Sequence, residues 1–309
     1  MRKILVTGGA GYLGSMLVSK LIHRGDEVTV IDSLRFGGSS LAHLAGFKNF
    51  KFVEGDVRDL DLMAGLIKDA EFIFPLAALV GAPLCEKSPK EAEEVNLLSI
   101  KNLLELVGDQ KIVYPTTNSG YGMKEAEEVC TEESELTPVS LYGRTKVDAE
   151  NLIQKAGNGV SLRLATVFGS SFRTRFDLLL NNFVLRSLRD KRIEIYEGHF
   201  KRNFIHISDV IDGLIFSMDN FDKMRGSAFN LGQDSANMSK MELAQKVKSF
   251  VPDLVLTENN DQKDPDQRNY IVSNEKIRKM GFTARVTIEE GIVEMIKVVK
   301  LRPNISENL

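Results

Sequence analysis

The feature that most constrains this chain is a glycine-rich turn placed between a strand pattern and a helix pattern. Residues 3–6 (KILV) form a short apolar run, as expected of a strand buried on both faces. The sequence TGGAGYLG follows at 7–14, and leucines then recur at helical spacing at positions 13, 17 and 21. A second strand pattern runs over residues 27–31 and ends at Asp32. The first 32 residues therefore predict a β-α-β unit.

The turn of this unit has the composition of a dinucleotide-binding site. Its glycines permit a tight turn, close approach of the backbone to a pyrophosphate, and close packing of helix against strand. The following helix directs its free N–H groups and the positive end of its dipole at the phosphates. Asp32 follows 18 residues after Gly14, as expected of a ribose ligand. The turn residues expected to contact the dinucleotide are Gly8, Gly11, Tyr12, Leu13 and Gly14.

The acid at the end of the second strand favours NAD over NADP. Asp32 would hydrogen-bond the adenosine ribose hydroxyls and repel a 2′-phosphate. Arg35 leaves a second interpretation open, since it would pair with such a phosphate, although a solvated surface arginine is the simpler interpretation. Asp56 and Val57 follow the third strand pattern, either beside the adenine or as an ordinary turn. Ala77, after the fourth strand pattern, completes the expected cofactor contacts.

Strand and helix patterns alternate along the chain that follows. Strand patterns lie at 50–53, 72–76, 112–114 and 160–165, and helix patterns at 59–68, 88–107 and 142–156. The alternation predicts an α/β fold, a doubly wound parallel sheet of the Rossmann type, with a smaller C-terminal substrate-binding region. Polar and basic segments interrupt the pattern after residue 168. We therefore expect an NAD-binding domain over 1–168, to which 204–232 return, and a smaller substrate-covering region over 169–203 and 233–309.

Composition excludes several other classes of protein. A formal net charge of −3 argues against a nucleic-acid-binding surface, which needs a strong basic excess. No apolar run approaches the ~18 residues of a membrane span, and nothing at the start resembles a signal peptide. Cys85 and Cys130 do not make a disulfide framework, and the four histidines show no metal-ligand spacing. We expect a cytoplasmic protein with reduced thiols, without metal, nucleic acid or membrane as partners.

A tyrosine and a lysine provide a candidate proton-transferring pair. Tyr142 and Lys146 lie four residues apart, so that both face the same side of a predicted helix. An unperturbed tyrosine has a pKa of about 10 and keeps its proton near neutral pH. A lysine cation and the positive nicotinamide ring both favour the phenolate and are expected to lower that pKa.

Taken together, these segments resemble the extended short-chain dehydrogenases/reductases of the NAD-dependent nucleotide-sugar epimerase/dehydratase family. The resemblance covers nearly the whole chain and rests on six ordered motifs: TGGAGYLG at 7–14, PTTNSGYG at 115–122, YGRTK at 142–146, RNFIHISDV at 202–210, FNLG at 229–232 and TIEEGI at 287–292. It implies that Thr117 binds the reacting sugar hydroxyl, that Tyr142 is the general base, and that Lys146 holds the nicotinamide ribose. The residues that it assigns to the nucleoside diphosphate are Asn181, Arg202 and Arg268.

Several positions depart from the pattern of this family. Asn118 and Ser119 stand where its dehydratases carry Asp-Glu, and its decarboxylases also need a Glu at the second position. Neither side chain transfers protons near neutral pH, so elimination of water is not expected. Thr166 replaces an asparagine that contacts substrate, which leaves the nucleotide open, and Pro75 replaces a histidine. Asn96 resembles an asparagine that supports the catalytic helix, or is an ordinary polar helix residue.

The resemblance implies oxidation of a sugar hydroxyl, at C4, on a nucleoside-diphosphate sugar, as in bacterial-type surface polysaccharide biosynthesis. If the hydride returns to the other face of the sugar, the enzyme is an epimerase, and if the ketone leaves, it is a dehydrogenase. The proton-transferring residues are the same in both cases. Two alternatives remain open: an NADP-dependent carbonyl reductase, and a non-catalytic NAD-sensing protein on the same fold.

The resemblance also implies a homodimer through helices 91–107 and 142–156, which form a four-helix interface in the family. The first of these segments carries a broad apolar stripe. Its members are Leu97, Ile100, Leu103 and Leu104. The stripe contacts a second subunit in this interpretation, and in the alternative it covers the protein's own sheet.

Overall fold

The computed structural model describes residues 1–125, 127–259 and 268–302. In chain order the strands are β1 (Lys3–Thr7), β2 (Glu27–Asp32), β3 (Phe50–Glu54), β4 (Phe72–Pro75), β5 (Lys111–Thr117), β6 (Val129–Cys130), β7 (Gly159–Leu164), β8 (Thr166–Phe168), β9 (Arg192–Tyr196), β10 (Lys201–His206), β11 (Ala228–Leu231), β12 (Asn237–Ser239), β13 (Val255–Asn259) and β14 (Ile271–Val272). The α-helices are α1 (Tyr12–His23), α2 (Leu60–Lys68), α3 (Ala82–Lys87), α4 (Pro89–Glu93), α5 (Ser99–Leu106), α6 (Leu141–Ala156), α7 (Leu179–Arg189), α8 (Ile207–Asp219), α9 (Phe221–Met224), α10 (Lys240–Phe250), α11 (Glu275–Lys279) and α12 (Ile288–Leu301).

Seven of these strands form one sheet in the order β3-β2-β1-β4-β5-β7-β11, and all neighbours are parallel. Helices α1 and α8 pack on one face, and α2, α5 and α6 on the other. The predicted doubly wound α/β sheet is therefore confirmed. Because all strands run the same way, their carboxyl ends meet at one edge, where this fold binds its ligands.

The helix predicted over residues 88–107 is interrupted. A single turn of π-helix, Glu94–Leu98, separates α4 from α5. Such wider turns are frequent at functional sites. Here the turn carries Asn96, which is buried at 1% exposure.

The segment after residue 168 builds smaller sheets. Strands β12, β10 and β8 form one of them, and β13 pairs with β9 in a second. Helices α7, α10 and α12 enclose a separate apolar core beside these strands. Of the residues 204–232 expected to return to the NAD-binding domain, α8 and α9 pack on the large sheet and β11 joins it. Strand β10 pairs with β8 and β12.

None of the helices among the described residues is both long and apolar enough to cross a membrane. Both cysteines are buried as free thiols, Cys85 in α3 and Cys130 in β6. Each lies in its own small apolar cluster.

Candidate active site

The turn between β1 and α1 accepts only glycine at two of its positions. Gly8 has a φ of +70°, and a Cβ atom there would lie 2.7 Å from the backbone nitrogen of Ala77. A Cβ atom on Gly14 would lie 2.3 Å from the carbonyl oxygen of Gly8. Both distances are well inside van der Waals contact, so the close fold of this turn depends on the missing side chains.

The same turn leaves backbone donors available for an anion. Gly11 is the N-cap residue of α1 and has no side chain to cap it. The first N–H groups of a helix have no partner within the helix, and here they belong to Tyr12, Leu13 and Gly14. A cradle without side chains, next to the positive end of a helix, fits the pyrophosphate of a dinucleotide. The structure therefore brings together the turn residues that the sequence predicted.

Asp32 lies at the end of β2 and is held by two backbone donors. Its carboxylate accepts hydrogen bonds from the N–H groups of Ala10 and Leu34, both at 2.9 Å. The guanidinium of Arg35 does not join it, because Arg35 forms an ion pair with Glu91 at 2.7 Å. This pairing supports the interpretation of Arg35 as a surface residue.

Asp56 and Val57 follow β3, one strand further along the same edge. Both carboxylate oxygens of Asp56 accept hydrogen bonds from the guanidinium of Arg58, at 2.9 and 2.7 Å. This hydrogen bonding to Arg58 lowers the pKa of Asp56. Val57 is half-buried and packs against two apolar clusters of the core. The predicted contact of these two residues with adenine stays a prediction.

Helix α6 starts beside the carboxyl end of β5. Ser140 caps it, accepting a hydrogen bond from the N–H of Gly143 at 3.1 Å. Tyr142 occupies its first turn, with the Thr117 hydroxyl near enough to lower the pKa of its phenol. Thr117 ends β5, and its hydroxyl donates to Ser119 at 2.9 Å. Two segments 25 residues apart in the sequence thus bring their hydroxyl groups to one place.

Burial shifts the pKa values of the tyrosine and the lysine in opposite directions, because it disfavours the charged form of each. It raises the pKa of Tyr142 to about 12, while the charges of Arg175 and Arg268 and the nearby Thr117 hydroxyl oppose this rise. It lowers the pKa of Lys146 to about 7. The Lys146 ammonium lies 4.0 Å from the centre of the Tyr114 ring, a cation–π contact. The cations that oppose the rise at Tyr142 thus include two arginines, and the predicted effect of Lys146 on the tyrosine stays a prediction.

A buried ion pair lies one turn further along α6. Glu150, at 1% exposure, accepts hydrogen bonds from Nε and Nη2 of Arg163 at 3.0 and 2.7 Å. Arg163 also donates to the phenol of Tyr121 at 3.0 Å. The carboxylate of Glu150 raises the pKa of Lys146 against the effect of burial. Sequence analysis missed this pair, although Glu150 follows Lys146 at helical spacing.

The three residues predicted to bind the diphosphate have different surroundings in the structure. Arg268 hydrogen-bonds the hydroxyl of Ser119 and so reaches the reaction centre. Arg202 is buried on β10 at 5% exposure. Asn181 is fully buried, and its amide bonds both backbone groups of Gly169 and the carbonyl of Arg175. The structure thus gives Asn181 a role in shaping the loop after β8, and its contact with substrate stays a prediction.

Arg175 is the residue near the reaction centre that sequence analysis missed. It pairs with Asp177 on the loop before α7, and its charge acts on the phenols of both Tyr142 and Tyr12. The available signal was the basic character of the polar segment at 170–175. Asn96, on the π-helical turn, is hydrogen-bonded to the loop that follows β4. Its amide pairs with the backbone of Leu79 at 2.8 and 3.0 Å.

Comparison with known proteins identifies the family. The sequence model of the NAD dependent epimerase/dehydratase family matches residues 4–232, and this chain belongs to that family. UDP-glucuronic acid decarboxylase 1 of Arabidopsis thaliana is 30% identical over 311 residues, covering 95% of this chain and 69% of that protein. Membership confirms the predicted resemblance, an NAD-dependent enzyme, and NAD as the cofactor.

Solved structures agree with this assignment. The UDP-glucose 4-epimerase of Thermotoga maritima, in a structure with UDP-glucose, has a TM-score of 0.87 at 25% identity, covering 98% of this chain and 100% of that one. MoeE5 in complex with UDP-glucose and NAD has a TM-score of 0.83 at 28% identity, covering 98% and 100% of the two chains.

Proposed function

We propose that this protein oxidises a hydroxyl group, at C4, of a sugar carried on a nucleoside diphosphate, as an epimerase or a dehydrogenase. The observation that carries the proposal is that the Tyr142 phenol and the Thr117 hydroxyl come together at the edge of the sheet where the cofactor turn also lies, so that the hydroxyl lowers the pKa of the phenol. A tyrosine base beside a second hydroxyl is suited to removing a proton from an alcohol. The relatives named above, which bind or act on UDP-sugars, support the substrate class.

The residues next to Thr117 favour simple oxidation over elimination. Ser119 is bonded to Thr117 and to Arg268, and Asn118 is fully buried beside it. Neither offers a group that titrates near neutral pH. The proposed chemistry therefore stops at the ketone or reverses to the epimer, without loss of water or carbon dioxide.

Each residue of the site has a defined task in this proposal. Thr117 aligns the sugar hydroxyl, and Tyr142 takes its proton. Arg175 and Arg268 favour the phenolate by their charge. Lys146 holds the nicotinamide ribose, and NAD accepts the hydride when it is bound.

The substrate region and the cellular setting belong to the same proposal. We assign residues 169–203 and 233–309 to binding of the nucleotide sugar, with Arg202 and Arg268 on its diphosphate, since arginine pairs well with phosphate oxygens. We place the reaction in the cytoplasm, in synthesis of a surface polysaccharide of the bacterial type.

A homodimer through α5 and α6 completes the proposal. The two helices lie side by side on one face of the sheet. Ile100 and Leu103 are buried against that sheet, so this part of the stripe serves the subunit's own core. Leu97 and Leu104 are half-buried, and Leu98 is 45% exposed. Light scattering at micromolar concentration tests the dimer, and a strictly monomeric mass would refute it.

Incubation with a panel of nucleotide sugars in deuterated water tests the reaction. Product NMR detects an epimer or a ketone, and absorbance follows NADH. An epimer without accumulated NADH identifies an epimerase, whereas a ketone with one equivalent of NADH identifies a dehydrogenase. A dehydrated or decarboxylated product would contradict the argument from Asn118 and Ser119. Turnover of small carbonyl compounds with NADPH alone would overturn the proposal.

A further inference from the structure

The loop between β8 and α7 reaches across to the cofactor domain. We call residues 170–177 of this loop the strap. Phe172 stacks on the imidazole of His43, with ring centroids 4.0 Å apart and planes inclined by 23°. The guanidinium carbon of Arg173 lies 3.9 Å from the centre of the Phe36 ring. Both partners belong to the segment that follows Asp32, so the strap docks beside the expected ribose site.

The base of the strap is held in place from several directions. The phenol of Tyr12, in the cofactor turn, donates to the carbonyl of Gly169 at 2.8 Å. Ser170 donates its backbone N–H to Glu294 of α12 at 2.7 Å. Within the strap, Thr174 donates to the carbonyl of Ser171 at 2.7 Å. The strap is therefore a built part of the fold: its first end is held by Tyr12 of α1 and Glu294 of α12, and Phe172 and Arg173 pack on the segment after Asp32.

Two arginines of the strap point their charge at opposite ends of the cofactor site. Arg173 lies within electrostatic reach of Asp32, which marks the adenosine end. Arg175 acts on Tyr142, which marks the nicotinamide end. The diphosphate of a dinucleotide lies between these ends and carries negative charge. The two like charges repel each other, and Asp177, which pairs with Arg175, offsets part of this repulsion.

We propose that Arg173 is a cofactor-binding residue, which contacts the diphosphate or adjoining ribose of NAD while it is stacked on Phe36. The strap then covers the bound dinucleotide and slows its release. This contact comes from the part of the chain that the family resemblance assigned to the sugar substrate. It links cofactor retention to the substrate side of the cleft, and it does not depend on which sugar is oxidised.

Binding measurements on the full chain test the proposal without any substrate. Calorimetry should show that Arg173→Gln binds NAD more weakly than the wild type does. It should also bind ADP-ribose, which lacks the nicotinamide, more weakly. A charge-assisted contact of this kind corresponds to a rise in Kd of about tenfold or more. Arg173→Lys keeps the charge and loses the flat stacking surface, so its Kd should lie between those of the wild type and Arg173→Gln. Arg225→Gln is the matched control, an exposed arginine after α9, and should bind like the wild type.

Release kinetics test the covering role of the strap. Phe172→Ala removes the stack on His43 without touching a charge, and NAD dissociation in stopped flow should become several-fold faster. Thermal unfolding of each variant without ligand should stay near that of the wild type, which shows that the fold is intact. Equal NAD and ADP-ribose affinities in wild type and Arg173→Gln would overturn the proposal. So would an effect confined to NADP, which would make Arg173 a ligand of the 2′-phosphate.

Discussion

The cofactor turn and the strap lie at the same cleft but are built in different ways. In the turn, the residues that matter are consecutive, and Gly8 and Gly14 pack against each other within one β-α-β unit. At the base of the strap, the partners of Gly169 and Ser170 are Tyr12 and Glu294, which are far apart in sequence. A local motif can therefore specify the first region, whereas the second exists only once distant elements have packed.

The largest expected effect is on the chemistry at the junction of the two regions. Tyr142→Phe keeps the ring and its packing but removes the group proposed to accept the substrate proton. Turnover should fall by ~10²–10⁴-fold, the usual contribution of general acid–base catalysis. NAD affinity should persist, because the phenol is not a main anchor of the dinucleotide. Calorimetry and steady-state rates on a turned-over nucleotide sugar provide the measurement, and an unchanged rate would show that another residue transfers the proton.

The second largest effect is expected from the buried ion pair between Glu150 of α6 and Arg163 of β7. Glu150→Gln leaves the charge of Arg163 buried without its counter-charge, and breaking such a pair costs about 3–5 kcal/mol. Chemical denaturation should show this loss in the free energy of unfolding. Asp212→Asn is the control, since its pair with Lys20 is 47% exposed on both sides and contributes at most about 1 kcal/mol. Similar losses in both variants would show that the pair on α6 has no special weight.

Gly14→Ala tests the locally specified region. The new Cβ would meet the carbonyl oxygen of Gly8 at 2.3 Å and the Cα of Gly9 at 2.6 Å, so the turn has to open. Overpacking of this kind costs about 1–3 kcal/mol, and it moves the N–H groups that face the phosphates. The free energy of NAD binding should be reduced by more than the free energy of unfolding. Gly65→Ala, a helical glycine with open space around its Cβ position, is the control.

The comparison also explains how much the sequence could predict. The turn, Asp32, Thr117, Tyr142 and Lys146 could be predicted because each belongs to a contiguous motif, and the alternation of strands and helices predicted the parallel sheet. Arg175 was missed because its place near Tyr142 depends on the path of a loop that starts 27 residues later.

Other misses have the same physical origin. The π-helical turn was hidden because residues 88–107 have a nearly continuous helical pattern, while the contacts of Asn96 with Leu79 are tertiary. The neighbours of β10 could not be predicted either, because an apolar strand pattern does not specify the strands that it pairs with. The pairing with β8 and β12 follows from how the whole region packs.

The smallest effect tests whether the strap depends on distant contacts. Glu294 accepts the N–H of Ser170 and pairs with His206 at 2.8 Å. These hydrogen bonds outweigh burial and lower its pKa to about 2, below the ordinary value of about 4.3. An acid whose pKa is lowered in the fold stabilises it above the unfolded pKa, and this stabilisation is lost as the pH falls towards 2. Because its side chain is 32% exposed, we expect about 1–2 kcal/mol at pH 7.

Glu294→Gln should therefore lower the free energy of unfolding at pH 7, and the difference from wild type should shrink as the pH is taken from about 5 to about 3. Glu289→Gln, on the same helix, alters an exposed pair with Lys246 and should change stability by less than about 1 kcal/mol. Glu294→Gln should also release NAD faster than the wild type, since the strap loses an anchor at its base. A stability difference that stays constant with pH would mean that Glu294 acts through its shape rather than its charge. In that case the strap would be held by Tyr12 and Asn181, and the long-range contact to α12 would matter little to the cofactor.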